Sequence, residues 1–162
     1  MGSDLDIENR AARFCHQYSV HSPVSPLAVA HALDWTPLPA GIEPPRAVRG
    51  ASPIYHCSGR RGACLHKVEG CDSRDIAWQV MRELSNRELM REVRGAVVPV
   101  RHVDRFARAV LLPADEFLED LHLCHRSIAR LFAVHQYAPE AVIRERIAEL
   151  GAAPRLSLVA GL

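Results

Sequence analysis

The chain has 162 residues, enough for one domain that buries a core of its own. Its 48% hydrophobic and 24% charged residues are ordinary for a globular protein, and 20 basic residues against 19 acidic ones leave a net charge of +1, with no overall electrostatic footprint for nucleic acid or an anionic membrane. No apolar run nears the roughly 20 residues of a membrane helix, and the first residues carry acids where a secretory signal carries bases. A cytoplasmic location is expected, with the five cysteines reduced.

In chain order, Ile7 to Tyr18 reads as an amphipathic helix with Ile7, Ala11, Phe14, Cys15 and Tyr18 along one face. Ser25 is a natural N-cap and Pro26 a natural first helical residue for a short helix through Leu33. Pro37, Pro39, Pro44, Pro45 and Pro53 make the following stretch extended connection or edge strand. SPIYHC and ACLHKVEG are short strand candidates around the turn material SGRRG. From Asp72 to Arg94 the chain is predicted helical, with Asp72 or Ser73 as N-cap and Ile76, Ala77, Val80, Met81 and Leu84 on one face. A helix from about His102 presents Val103, Phe106, Ala107, Val110 and Leu111 and stops near Pro113. Three more follow: Asp115 to Leu123, His125 to Phe132, and Pro139 to Leu150 with Gly151 just past its end.

Inside the 72–94 helix lies R-E-L-S-N, Arg82 to Asn86, which has the frame of a zinc-protease helix, H-E-x-x-H, with both histidines replaced. Three flanking segments carry a likeness in the same order. They are ARFCHQYSVHSPVSPLAVAHALDW, then FARAVLLP (Phe106 to Pro113), then IARLFAVHQYAPEAVIRERIAELG (Ile128 to Gly151). Together they resemble the ImmA/IrrE metallopeptidases, bacterial and phage zinc proteases that cleave helix-turn-helix repressors. The resemblance implies an α+β fold: a small, mostly antiparallel sheet packed with helices, a zincin-like metallopeptidase core without its metal site, and a C-terminal helix-turn-helix-like pair. It implies a single domain over 1–162, with N-terminal helices in 7–35, short strands in 50–71, the former zinc helix and its successor in 73–113, and C-terminal helices in 115–151.

The departures fall where the chemistry should be. A catalytic zinc needs three protein donors and an open position for water. The first two ligand positions of the family correspond to Arg82, a cation, and Asn86, a weak oxygen donor; the third corresponds to Val100, with Asp104 one turn further on. Glu83 keeps the general-base position but has no metal-bound water to act on. No catalytic residue and no cofactor are therefore expected, and Arg82, Glu83, Asn86, Val100 and Asp104 are the candidate binding residues.

Other clusters read as structural. His56, Cys57, Cys64, His66 and Cys71 lack the C-x(2–4)-C pairs of structural zinc, and nothing pairs Cys57 or Cys64 with a histidine as a nucleophile would need. His122 and His125, flanking Cys124, could share a helix face and are expected in solvent. Ile128 to Leu150 also scans as a helix-turn-helix with Arg144, Glu145 and Arg146 exposed, but its glutamates offset its arginines, and packed helices closing the core with Val134, Ala141, Val142, Ile147 and Leu150 are the simpler account. The expected function is that of a pseudo-metallopeptidase, a regulatory module that binds a helix-turn-helix regulator or another protein. The alternatives are a zinc metalloprotease with unorthodox ligands (Glu83, Asp104, and His56 or His102) and a DNA-binding regulator.

Overall fold

The structure, a computed structural model, describes residues 4–33, 54–56, 63–65, 73–92 and 97–151. Among these residues there are seven helices: α1 (Asp4–Tyr18), α2 (Pro26–Ala32), α3 (Ser73–Glu92), α4 (Val100–Leu111), α5 (Ala114–Leu123), α6 (Ile128–Val134) and α7 (Glu140–Glu149). The proline-rich stretch after Leu33 and the tail after Gly151 lie outside them. No described helix is long and apolar enough to cross a membrane.

The protein is helical, and the expected α+β architecture is corrected. The two strand candidates do meet, as β1 (Ile54–His56) and β2 (Ala63–Leu65), antiparallel with Tyr55 opposite Cys64. Two strands of three residues are too small to give helices a sheet face to pack on. Every buried apolar side chain among the described residues comes from a helix or a connection beside one. The expected sheet rested on the family likeness, and the apolar residues were already committed to period-3.6 stripes.

Helix α4 is the centre of the bundle and packs against α1, α3 and α7. Its sequence puts apolar side chains on most of its circumference, and His102, Val103, Phe106, Ala107, Ala109, Val110 and Leu111 are buried. Phe106 meets Phe14 of α1 edge-on at 5.8 Å between ring centroids, a favoured aromatic geometry. Cys15 of α1 lies against the Val110 carbonyl, and burial pushes its thiol up to about 11, so it acts as an inert apolar side chain. From α3 the core receives Ala77, Val80, Met81, Leu84 and Leu89.

Helix boundaries follow local chemistry. α4 begins at Val100, two residues before the expected start, because Pro99 lacks the N–H that a first turn leaves unpaired anyway. α6 begins at Ile128 rather than His125, since His125 and Arg126 adopt left-handed backbone (φ 51° and 59°) and Ser127 then caps the new helix by accepting from the Arg130 N–H. α7 ends as expected at a glycine with φ 62°, a conformation that disfavours any Cβ.

Two arginines tie the helices together from the inside. Arg146 of α7 is fully buried. Its Nε donates to the Leu112 carbonyl at 3.0 Å, and its two terminal nitrogens grip the Glu8 carboxylate of α1 at 2.7 and 2.9 Å. Around it Arg105 approaches Glu8 at 3.5 Å, and Arg108 holds Glu149 at 2.7 Å and Glu145 at 2.5 Å. Arg74, in the first turn of α3, donates to the carbonyls of Phe132, His135 and Ala138 and lies 3.5 Å from the centre of the Phe132 ring. It thereby fastens the α6–α7 turn to α3.

A guanidinium with no access to water is costly to leave uncompensated. Glu8→Gln and Glu8→Ala should therefore each lower unfolding free energy, the alanine change by about 3–5 kcal/mol in urea titrations. Glu8→Leu combined with Arg146→Met should cost less than the two single changes added together. Strict additivity would mean that the two side chains do not act as a pair.

Candidate functional site

The candidate residues Arg82, Glu83 and Asn86 lie on the half-buried side of α3, opposite the Met81–Leu84 core contact. The pattern follows from a 100° step per residue: Ala77, Val80, Met81 and Leu84 turn inward, so 82, 83, 86 and 87 fall on the flank. Val100 opens α4 and is 63% exposed. Asp104 lies one turn further along, on the α4 flank that meets α3.

The structure brings Arg82 and Asp104 together. Arg82 Nε donates to Asp104 Oδ1 at 2.5 Å, with the two side chains 39% and 27% exposed. Glu83 instead turns along its own helix, where its carboxylate accepts from Arg87 Nε at 3.0 Å. Burial raises the Glu83 carboxyl above its ordinary value and lowers the Arg87 guanidinium below its own. Both directions have one cause: the pair gives up hydration on a partly covered helix flank. Asn86 is half-buried one turn from Arg82.

These residues do not fit a zinc site. Asp104 and Glu83 each already hold an arginine, Arg82 is a cation, and Val100 has no donor atom. His102 cannot complete a set with Asp104 either. Residues two apart on a helix differ by about 200° around it, and His102 is buried on the core face. Among the described residues no group of three or more His, Cys, Asp or Glu is arranged to hold a metal ion. Cys57, His66, Cys71 and the side chains of His56 and Cys64 lie outside the described residues.

The other sequence candidates separate as well. α5 ends at Leu123, so His122 and His125 do not share a helix face; both are exposed, while Cys124 between them is buried. Of the α7 trio expected in solvent, Arg146 is buried, Arg144 is held by Glu140 at 2.5 Å, and Glu145 is held by Arg108. Arg146 therefore cannot reach a DNA groove. Of the five residues expected to close the core there, Val142 and Ile147 are buried, Leu150 is half-buried, and Val134 and Ala141 are exposed.

Sequence reasoning missed Arg74, His135 and Arg146. A signal existed for Arg146, which follows Val142 and Ile143 at helical spacing on the buried stripe of α7. Arg74 similarly precedes Ala77 and Met81 on the stripe of α3. His135 sits in a turn, where periodicity is silent.

No protein-family model matches the chain, and neither a curated protein nor a solved structure does.

A partly exposed ion pair contributes little after screening and loss of side-chain freedom. A double-mutant cycle with Arg82→Ala and Asp104→Ala should return a coupling of about 0.5–1 kcal/mol that shrinks with added salt. A coupling of several kcal/mol, insensitive to salt, would make the pair a structural clamp between α3 and α4.

Proposed function

We propose that the chain is a non-catalytic, protein-binding regulatory module of the cytoplasm whose binding face is the α3 flank and the start of α4. The observation that carries this reading is the Arg82–Asp104 pair: the charged groups of the candidate site are spent on each other at a solvent-accessible position. Such a pair suits recognition, in which position and sign of charge select a partner at little cost to the fold. It does not suit hydrolysis, because neither carboxylate is left to bind a metal or take a proton from water. Beside it stand Val100 and Val97, 63% and 88% exposed, which add apolar area next to the polar groups. The partner class follows from the resemblance to the ImmA/IrrE metallopeptidases, whose substrates are helix-turn-helix repressors: here such a regulator is bound and not cut.

The test separates a recognition role for the pair from a structural one. Arg82→Asp combined with Asp104→Arg restores an ion pair in the opposite sense, so melting temperature should stay within a few degrees of the wild type. Co-expression with helix-turn-helix repressors of the kind the ImmA/IrrE metallopeptidases cleave, followed by size-exclusion chromatography, should give a complex with the wild type and at least a tenfold weaker one with the swapped variant. Equal binding by both proteins would remove the face from the proposal. Zinc-dependent fragmentation of the regulator would replace the binding reading with the protease one.

A further inference from the structure

The corner where α6 turns into α7 holds a buried histidine in an unusual setting. His135 is 2% exposed, and its ring lies 5.3 Å from that of Phe117 on α5. Its Nε2 comes within 3.3 Å of Asp120 Oδ2, yet neither ring nitrogen has a hydrogen-bond partner of acceptable geometry. Asp120 is engaged elsewhere: its Oδ2 accepts from the Ser22 hydroxyl at 3.3 Å. One turn earlier on α5, Glu116 takes the Ser22 N–H at 2.5 Å and meets the His21 ring at 3.1 Å. The backbone of the same corner is held from α3, since Arg74 binds the carbonyls of His135 and Ala138. On α7, Glu140 turns outward to Arg144. Among the described residues, the charged and titratable groups at this corner include Asp120 and Glu116 from α5, His21 from the α1–α2 connection, Arg74 from α3, and, beside Asp120, the Cys124 thiol with Arg130 of α6.

We propose that His135 is an acid-sensitive latch: proton uptake by its buried ring loosens residues 134–138 from α5 and α3. The geometry supplies the reason. An imidazolium needs an acceptor for each of its two N–H groups. Here Nδ1 faces no acceptor, and Nε2 faces one whose alignment is poor and whose oxygen is already shared with Ser22. Arg74 adds a second positive charge at the same backbone. The neutral ring packs against Phe117 as an apolar side chain, so the corner is stable only while the ring stays neutral.

The direction of the pH effect follows. Burial lowers the His135 pKa below its ordinary 6.5, with Asp120 opposing in part. The unfolded chain therefore binds this proton more readily than the folded one. The contribution of His135 is complete above about pH 6.5 and is lost as pH falls from there to the lower folded-state value. Each unit between the two pKa values corresponds to a tenfold loss in the folding constant.

Two measurements test this on the full chain. In a proton NMR titration the His135 ring should change charge below its ordinary value of 6.5, and the amide signals of residues 134–138 should move with the same midpoint. Urea unfolding between pH 7 and pH 5 should show a fall in the folding constant for the wild type that is absent in His135→Gln and larger in Asp120→Asn. The latch is overturned if His135 titrates at or above the ordinary histidine value of 6.5. It is equally overturned if the corner amides ignore that midpoint, or if the wild type gains stability on acidification, which would mean that Asp120 forms a true ion pair. Should His135→Gln not fold, the wild-type titration alone decides.

Discussion

A guanidinium that has lost all its water is the constraint on which this bundle turns. Arg146 cannot shed its proton in a protein, so its position is tolerable because Glu8 from α1, the Leu112 carbonyl from the end of α4 and Glu149 of α7 all accept from it. Those three elements are far apart in sequence, and apolar packing alone would let α7 slide along α4. A bidentate carboxylate fixes direction as well as distance. In the same layer Arg105 also approaches Glu8, Arg108 pairs with Glu145 and Glu149, and Glu149 reaches Arg146 at 3.4 Å, which keeps the buried charge from standing alone.

That arrangement in turn leaves α4 free to serve two faces at once. Its buried residues run around most of the helix, and only the flank carrying Asp104 and the open start at Val100 reach solvent. Among the described residues, the Arg82–Asp104 pair makes a direct polar contact between α3 and α4. The proposed binding face there would cost the fold little, because the Arg82–Asp104 pair is partly exposed and stands apart from the buried core.

Helix positions were largely legible because apolar residues at three- and four-residue spacing declare which side of a helix is dry. Ile7, Ala11 and Phe14, and again Val103, Phe106 and Val110, were placed correctly for that reason. The Ser25–Pro26 start and the Gly151 stop were legible from backbone chemistry. The sheet was not. Two runs of strand-like residues predict extended backbone, which formed, but they say nothing about whether further strands join them. The candidate site was named only by position. Arg82 and Asp104 were candidates through the resemblance to a metallopeptidase family, whereas their mutual contact depends on how α3 crosses α4, and no pattern within either helix encodes a crossing. Buried charges were the least visible, since a single sequence shows an arginine and not its surroundings.

The buried and half-buried basic groups then sort by whether their charge can be withdrawn. Arg146 and Arg74 keep theirs at every pH a cell offers, so the contacts they make are permanent between pH 5 and 8. A histidine is different, because its proton is exchangeable in that range. His102 sits among the apolar side chains of α4. His135 sits beside a carboxylate it cannot bond well and under a backbone held by Arg74. The same turn is thus gripped by one group that never changes and one that can. Loss of the second grip leaves the first to hold carbonyls whose own side-chain support has gone, and that asymmetry makes the α6–α7 corner the conditional part of an otherwise unconditional bundle.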